Sequence, residues 1–263
     1  MVEGRNLARA KAEERQRKLV DIRRTRRKQI LVIASVAVAV VLGTAQLFRS
    51  GVFDVKSVDI SGNKYVSPVK IVETSGVSEN TNLLSVPTGK LAVKIEKDPW
   101  VKSVVVKRAW PSTLKIVIDE RVPKALISHT GKFFLVDEEL FIIAERRYAE
   151  GINVPIITDL PVGKIKVGRH LLNGSLENAM NCLKEMSPAF QRSINLVSAS
   201  SIDKLTLYNK DNVEILFGRA ENAGDKHKIL DTIIGKQGKQ VIQIDIRNYP
   251  KSDPVIKRID SVP

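Results

Sequence analysis

The residues that could perform chemistry are few, and the most concentrated group is acidic. Asp137, Glu138 and Glu139 stand next to each other, and such carboxylates could serve in acid-base catalysis or bind calcium. Three consecutive acids are, however, more typical of an exposed turn between strands. The pattern therefore favours a turn over a catalytic or metal site.

The histidines and the cysteine lack the neighbours that would make them reactive. His129, His170 and His227 lie far apart and show no His-Glu or Cys spacing that suits zinc. Cys182 is the single cysteine, so it can form no internal disulfide, and its helical surroundings predict a small buried or half-buried side chain. The sequence has no Gly-rich phosphate loop and no Gly-x-Ser-x-Gly elbow. We therefore expect no enzyme activity, no cofactor, no metal and no small-molecule substrate, and a protein that acts through binding surfaces.

An apolar run without any charged side chain, Ile30 to Phe48, is the clearest element of the chain. At about 1.5 Å per residue it forms a helix of roughly 29 Å, close to the hydrocarbon thickness of a bilayer. We predict a transmembrane helix at residues 29–49. A cleaved signal peptide is the alternative, since Gly43 and Ala45 resemble a cleavage site, but signal peptides have shorter apolar runs and shorter basic segments.

The charge distribution predicts the orientation of this helix. Residues 1–28 carry 11 Lys and Arg against 4 Asp and Glu, a net charge of +7 out of +14 for the whole chain. Basic residues beside a crossing helix remain in the cytoplasm. We therefore expect a single-pass type II protein with a basic cytoplasmic tail at residues 1–28 and the bulk of the chain outside. This tail is expected to contact anionic lipid; no aromatic residue is interleaved in it, so nucleic acid is not an expected partner.

The first outer segment has the signals of a small α+β domain. A strand around residues 53–60 precedes Ser67-Pro68, which starts a helix, and Gly76, which ends it. A second helix is predicted at Thr88–Lys97, and two strands follow at residues 101–108 and 113–120. The order strand, helix, helix, strand, strand places two helices on one face of a sheet.

Five ordered motifs make this segment more specific. They are Val58-Asp-Ile-Ser-Gly62-Asn63, Asn82-Leu-Leu84, Pro99-Trp-Val101, Arg108-Ala-Trp-Pro111 and Glu120-Arg-Val-Pro123. Following a basic-flanked helix, they resemble the POTRA domain of the FtsQ/DivIB family of bacterial cell division proteins, here at residues 51–122. Adjacent strand residues point to opposite faces, so Glu120 and Arg121 are expected to have separate partners.

The second outer segment, residues 123–250, is predicted to be β-rich. Strands are predicted at 125–128, 132–136, 140–144, 155–158, 164–167, 204–208, 213–217 and 241–246, helices at 174–185 and 224–234, and a tail at 251–263. This segment also resembles FtsQ/DivIB proteins, through Phe134-Leu-Val-Asp137, Val154-Pro-Ile-Ile157, Val213-Glu-Ile-Leu-Phe-Gly218, Lys226 with Lys228-Ile-Leu230, and Ile244-Asp-Ile-Arg247. Glu138 and Asp159 stand where the family often has glycine.

The resemblance implies partners and a binding site. It implies that the C-terminal strands bind the coiled-coil division proteins FtsB and FtsL. If residues 241–246 form an edge strand, a partner strand could add to it by β-augmentation. The predicted contact residues are Val241, Gln243, Asp245, Arg247 and Tyr249; for Arg247 and Tyr249 the alternative is that they only cap the sheet.

The predicted fold is a single-pass membrane protein with an α+β outer part. It consists of a small POTRA domain followed by a mixed β-rich domain with an antiparallel sheet and flanking helices. The expected function is that of a division scaffold at the septum, without catalysis. Two alternatives remain: a POTRA-bearing component of polypeptide transport or chaperoning, and a membrane-tethered cell-wall enzyme.

Overall fold

The computed structural model describes residues 26–46, 48, 50–78, 81–237 and 241–259. Most of the predicted basic tail, residues 1–25, and the last four residues lie outside this part. The first described element is helix α1, Arg26–Gln46, with 21 residues, of which a stretch of 18 has a mean hydropathy of 2.0. Its side chains are exposed, and at about 1.5 Å per residue it extends for roughly 31 Å. Within the described residues, this is the one helix long and apolar enough to cross a bilayer.

The chain divides into two compact units that are not contiguous in sequence. The first comprises residues 1–59, 77–86 and 107–115, and the second comprises residues 60–76, 87–106 and 116–263.

A three-stranded sheet with two helices follows α1. The elements are β1 (Ser57–Ser61), α2 (Pro68–Ser75), α3 (Thr88–Ile95), β2 (Val101–Ala109) and β3 (Thr113–Glu120), and the strand order is β1-β3-β2. The Ser67 hydroxyl accepts a hydrogen bond from the amide of Lys70, and Gly76 ends α2 with a φ of 68°. The predicted strand-helix-helix-strand-strand order and the bounds of α2 are thus confirmed.

A nine-stranded mixed sheet forms the second β-rich region. Its elements are β4 (Ala125–His129), β5 (Lys132–Val136), β6 (Ile142–Arg146), β7 (Ile156–Thr158), α4 (Gly174–Lys184), α5 (Pro188–Ser193), β8 (Ile194–Ala199), β9 (Leu205–Asn209), β10 (Glu214–Leu216), α6 (Ala223–Gln237), β11 (Val241–Asp245) and β12 (Val255–Arg258). The strand order is β12-β11-β10-β9-β8-β7-β4-β5-β6. β7 pairs in parallel with β4 and β8, and β10 pairs in parallel with β11. The remaining pairs are antiparallel. The predicted β-rich domain with flanking helices is thus confirmed, but its sheet contains parallel pairs and is not the antiparallel sheet that was predicted.

The two faces of this sheet carry separate apolar clusters. The larger cluster packs sheet residues such as Ile127, Val197 and Ile244 with residues of α4, α5 and α6, including Leu176, Phe190 and Leu230. The smaller cluster on Leu126, Leu135 and Ile143 is covered by Trp100 among others. Cys182 is fully buried in the larger cluster, as predicted.

Three predictions for this region are wrong. Residues 164–167 form no strand; this segment leads to Gly168, whose amide donates to the carbonyl of Ile142 at β6. The segment 251–263 is not a simple tail, because residues 255–258 form β12. The strand predicted at 140–144 lies two residues further on. The sequence reading also missed α5 and β8.

Candidate partner-binding surface

The predicted contact residues lie on β11 and in the turn after it, but β11 is not an edge strand. It is flanked by β10 on one side and by β12 on the other. The condition for strand addition at residues 241–246 is therefore not met, because β12, within the segment predicted as a tail, covers that side. Val241 is buried, and Gln243 donates to the carboxylate of Glu214. Both side chains are thus turned to intramolecular contacts.

The edge of the sheet at this end is β12. Val255 and the following Ile259 are 62% and 57% exposed, whereas Ile256 packs against the large apolar cluster. Lys257 is exposed as well. Among the described residues, no strand pairs with the outer side of β12. Such an unpaired edge can accept a strand from another chain.

The register identifies which backbone groups of β12 point outward. The amide of Ile246 donates to the carbonyl of Leu216 on β10 at 3.0 Å. The backbone N–H and C=O groups of successive strand residues point alternately to the two sides of the strand. Those of Ile246 and Ile244 therefore point to β10, and those of Asp245 and Gln243 point to β12. Lys257, the partner of Gln243, therefore faces β11, and the N–H and C=O groups of the neighbouring Ile256 point to the open side.

Beside this edge, a charged cleft of about 490 Å³ contains two of the predicted residues, Arg247 and Tyr249. Arg247 binds Asp245, with Nη2 2.5 Å from Oδ2. The side-chain hydrogen bond from Arg247 holds the pKa of Asp245 below its ordinary value. Arg219 pairs with Asp203 at 2.5 Å in the same cleft. The cleft thus presents neutralised pairs, and Tyr249 packs partly against the large cluster, which suits capping of the sheet.

Lys226 was missed as a structural residue, although it belongs to one of the motifs above. It is 2% exposed, and its ammonium donates to the carbonyls of Phe217, Arg219 and Arg247 at 2.9, 2.9 and 3.2 Å. Burial lowers the pKa of Lys226. The ammonium thus links α6 to two other segments that line the cleft, residues 217–219 and the turn after β11. The signal was its helical spacing from the apolar Ala223 and Leu230, which puts a lysine on the inner face of α6.

The acidic turn is used for ion pairs within the chain. Asp137 is 4% exposed, and its Oδ1 accepts the amides of Glu139 and Phe141, both at 2.9 Å. Arg121 Nη1 donates to Asp137 at 2.5 Å and to Glu139 at 3.0 Å, and its guanidinium lies 3.8 Å from the ring centroid of Phe141. Hydrogen bonds from Lys102 and then Arg121 lower the pKa of Glu139. Within the described residues, no group of three His, Cys, Asp or Glu could hold a metal ion.

The order of these elements defines a class of protein. An N-terminal apolar helix is followed by a small POTRA-type domain and then by a mixed-sheet region whose last strand, β12, has an unpaired edge. Two family models match these regions. "POTRA domain, FtsQ-type" matches residues 53–121, and "Cell division protein FtsQ/DivIB, C-terminal" matches residues 125–259. The chain belongs to the FtsQ/DivIB family of cell division proteins, and the resemblance drawn from its motifs is confirmed.

Several relatives are similar over most of the chain. Cell division protein FtsQ of Corynebacterium glutamicum is 28% identical over 81% of this chain and 94% of the relative. Cell division protein DivIB of Clostridium acetobutylicum is 22% identical over 70% of this chain and 75% of the relative. The solved major extracytoplasmic domain of DivIB from Geobacillus stearothermophilus aligns at 15% identity with a TM-score of 0.33, over 47% of this chain and 98% of that chain. Among the described residues, one apolar helix near the N-terminus is long enough to cross a bilayer, which is consistent with membrane anchoring in this family.

Proposed function

We propose that this chain is a bitopic, non-enzymatic scaffold of the bacterial division machinery. Its N-terminus lies in the cytoplasm, α1 crosses the membrane, and the outer part gathers partners at the septum. FtsB/FtsL-type coiled-coil proteins bind it by adding a strand to β12. The open backbone of Ile256 is the observation that carries this proposal.

The side chains of β12 favour pairing with a different protein over pairing between two copies of this strand. Lys257 supplies a charge, which discourages pairing between copies of the same strand. The exposed side chains of Val255 on the strand and of Ile259 directly after it offer apolar contacts. Strand addition gives affinity through main-chain hydrogen bonds and specificity through such side chains. Val255, Lys257 and Ile259 are exposed at every second position. A partner segment that presents an acidic residue between two apolar ones would match them.

The binding test uses two substitutions at one position. Ile256→Pro removes the outward amide but leaves the ladder to β11, because the N–H of Ile256 does not face β11. Ile256→Ala shortens the side chain and keeps the amide. In a pull-down or titration of the full chain with an FtsB/FtsL-type complex, Ile256→Pro should weaken binding at least about tenfold, through the lost hydrogen bond and the blocking ring. Ile256→Ala should change it much less.

Circular dichroism and thermal unfolding of both variants control for folding. If both fold and the proline variant binds as tightly as the alanine variant, strand addition at β12 is wrong. If the wild-type chain binds no FtsB/FtsL-type complex, the partner assignment fails instead.

The role in the cell has its own test. Depletion of the protein should produce filamentous cells, because septation stops while growth continues. A fluorescent fusion should concentrate at midcell. Normal division after depletion would contradict the scaffold role.

A further inference from the structure

An aromatic cluster lies where α1 ends, and all of its members belong to the first unit. Phe48 is itself helical and lies two residues beyond Gln46, where the described run of α1 stops. Its ring centroid lies 5.8 Å from that of Phe53, which lies 5.7 Å from that of Trp110 in an edge-to-face arrangement. We call Phe48, Phe53 and Trp110 the aromatic cluster.

The cluster is tied to the backbone at the end of the helix. The side-chain amide of Asn82 donates to the carbonyl of Phe48 at 3.2 Å. The carbonyl of Phe53 accepts the amide of Leu83 at 2.7 Å. These two bonds hold Phe48 and Phe53 against Asn82 and Leu83. Trp110 is linked to Phe48 through the ring contacts of both with Phe53.

The cluster leaves large apolar surfaces open. Trp110 is 58% exposed, Phe48 is 50% exposed, and the adjacent Val52 is 42% exposed. Exposed apolar groups that touch one another mark an interaction surface. Tryptophan in particular collects at membrane-water interfaces, where its ring lies at headgroup level.

The occupant follows from continuity with α1. The charged Arg26, Arg27 and Lys28 stay outside the hydrocarbon core, so the core begins near Ile30. The apolar run from Ile30 to Phe48, roughly 29 Å at about 1.5 Å per residue, brings the boundary with the outer headgroups to Phe48. Ring contacts of less than 6 Å lead from Phe48, at this boundary, through Phe53 to Trp110. Lipid headgroups are therefore within reach of Trp110.

We propose that the aromatic cluster inserts at headgroup level into the outer leaflet and seats the first unit on the membrane. This inference rests on the membrane anchoring stated under the proposed function. It assigns Trp110 to a lipid contact that is independent of the β12 edge.

The chain has two tryptophans, so depth can be measured for each separately. The full chain carrying Trp100→Phe retains Trp110 as its only tryptophan, and Trp110→Phe is the matched control that retains Trp100. Both are reconstituted in vesicles of phosphatidylcholine and phosphatidylglycerol. The phosphatidylcholine is unbrominated, brominated near the headgroup, or brominated near the chain end.

Bromine near the headgroup should lower the Trp110 emission by about twofold, and bromine near the chain end should lower it less, as expected for an interfacial ring. The emission of Trp100 should not respond. If Trp100→Phe lowers the stability, the difference between the wild-type and Trp110→Phe spectra reports the same quenching.

Flotation of the vesicles separates the two hypotheses. If the chain floats with the vesicles and Trp110 is not quenched, the lipid contact is overturned and the anchor stands. If the chain does not float, the anchor and the lipid contact both fail. An unquenched Trp110 whose emission shifts to the blue as the protein-to-lipid ratio rises would overturn the lipid contact in favour of a second copy of the chain.

Discussion

At the scale of single residues, Lys226 is a charged side chain that is almost fully buried. Its ammonium is the shared donor to three backbone carbonyls in a buried site. Lys226→Met keeps the aliphatic bulk but leaves these carbonyls without that donor. We expect a loss of about 2 to 3 kcal/mol in the free energy of unfolding, because buried polar groups without partners are costly. The urea dependence of tryptophan fluorescence measures this loss.

Lys228→Met is the matched control two residues further along α6. The Lys228 side chain is 79% exposed and pairs with Asp225 at 3.0 Å, three residues before it. Such exposed pairs contribute little to stability. Equal urea midpoints for the two variants would contradict the structural role of Lys226.

The pair Asp245 and Arg247 predicts a dependence of stability on acid. The hydrogen bond from Arg247 lowers the pKa of Asp245 below its ordinary value of 3.8. A lowered carboxyl pKa contributes stability that is complete above the unfolded-state value and is lost as the pH falls through the folded-state value. Wild type should exceed Asp245→Asn in stability at neutral pH by up to about 1 kcal/mol, and the difference should shrink below pH 3.8.

Urea midpoints of both proteins across the acid range measure this difference. Asp253→Asn is the charge-matched control at an exposed position. A difference between wild type and Asp245→Asn that stays constant through the acid range would rule out the ion pair as its source.

The partners of the adjacent Glu120 and Arg121 could be predicted only in part from the sequence. Alternation along a strand predicted that they have separate partners, and this is confirmed. The Glu120 carboxylate accepts the amides of residues 64–66 at 2.8 to 2.9 Å, whereas Arg121 binds Asp137. Their identity could not be predicted, because the partners lie 16 to 56 residues away and only the tertiary fold brings them together.

At the scale of elements, Gly62 sets the approach of the loop after β1 to β3. Its φ is 85°, and a Cβ added there would lie 2.0 Å from the carbonyl oxygen of Ile118. Gly62→Ala should therefore force the backbone apart and lower the free energy of unfolding by more than about 2 kcal/mol. Thermal unfolding measures the effect.

Gly131→Ala separates backbone strain from the steric clash. Gly131 has a similar φ of 74°, but an added Cβ would meet no atom within 4 Å. We expect a loss of only about 1 kcal/mol from its left-handed conformation. Similar losses at the two glycines would show that the contact with Ile118 carries no weight.

Local signals decided which elements could be predicted. α2 was predicted to the residue because Ser67-Pro68 and Gly76 mark both ends. α5 begins with the same signal, Ser187-Pro188, yet it was missed because it has only six residues and no visible period. β12 was missed because four residues in a polar segment become a strand only when β11 offers its free side.

The partner-binding surface, too, could be predicted only as far as local signals reach. The sequence predicted that the C-terminal strands meet a partner, and the motifs identified the family. It could not show which strand is last, because edge position is a property of the sheet order. A β-bulge between Val241 and Gln243 also breaks the regular alternation of side chains along β11, so that Val241, Ile244 and Ile246 are all buried.

At the scale of the whole molecule, the proposed orientation rests on α1 being retained and on the basic residues before it. Both the uncleaved anchor and a signal peptide fit an apolar N-terminal helix. Cys182 makes a direct test simple. It is fully buried, and burial raises the pKa of its thiol, so little reactive thiolate is present in the folded chain. Thiol reagents should therefore report only on cysteines that are introduced.

Two single substitutions determine the topology: Ala10→Cys in the basic tail and Ser252→Cys, which is exposed in the turn before β12. On cells stripped of their wall, a membrane-impermeant maleimide should label Ser252→Cys and leave Ala10→Cys unlabelled, because positive charge retains the tail in the cytoplasm. After permeabilisation, Ala10→Cys should be labelled on a chain of full length. Labelling of Ala10→Cys on intact cells would reverse the orientation. A mature protein that has lost the tail would identify α1 as a cleaved signal and remove the anchor on which the scaffold depends.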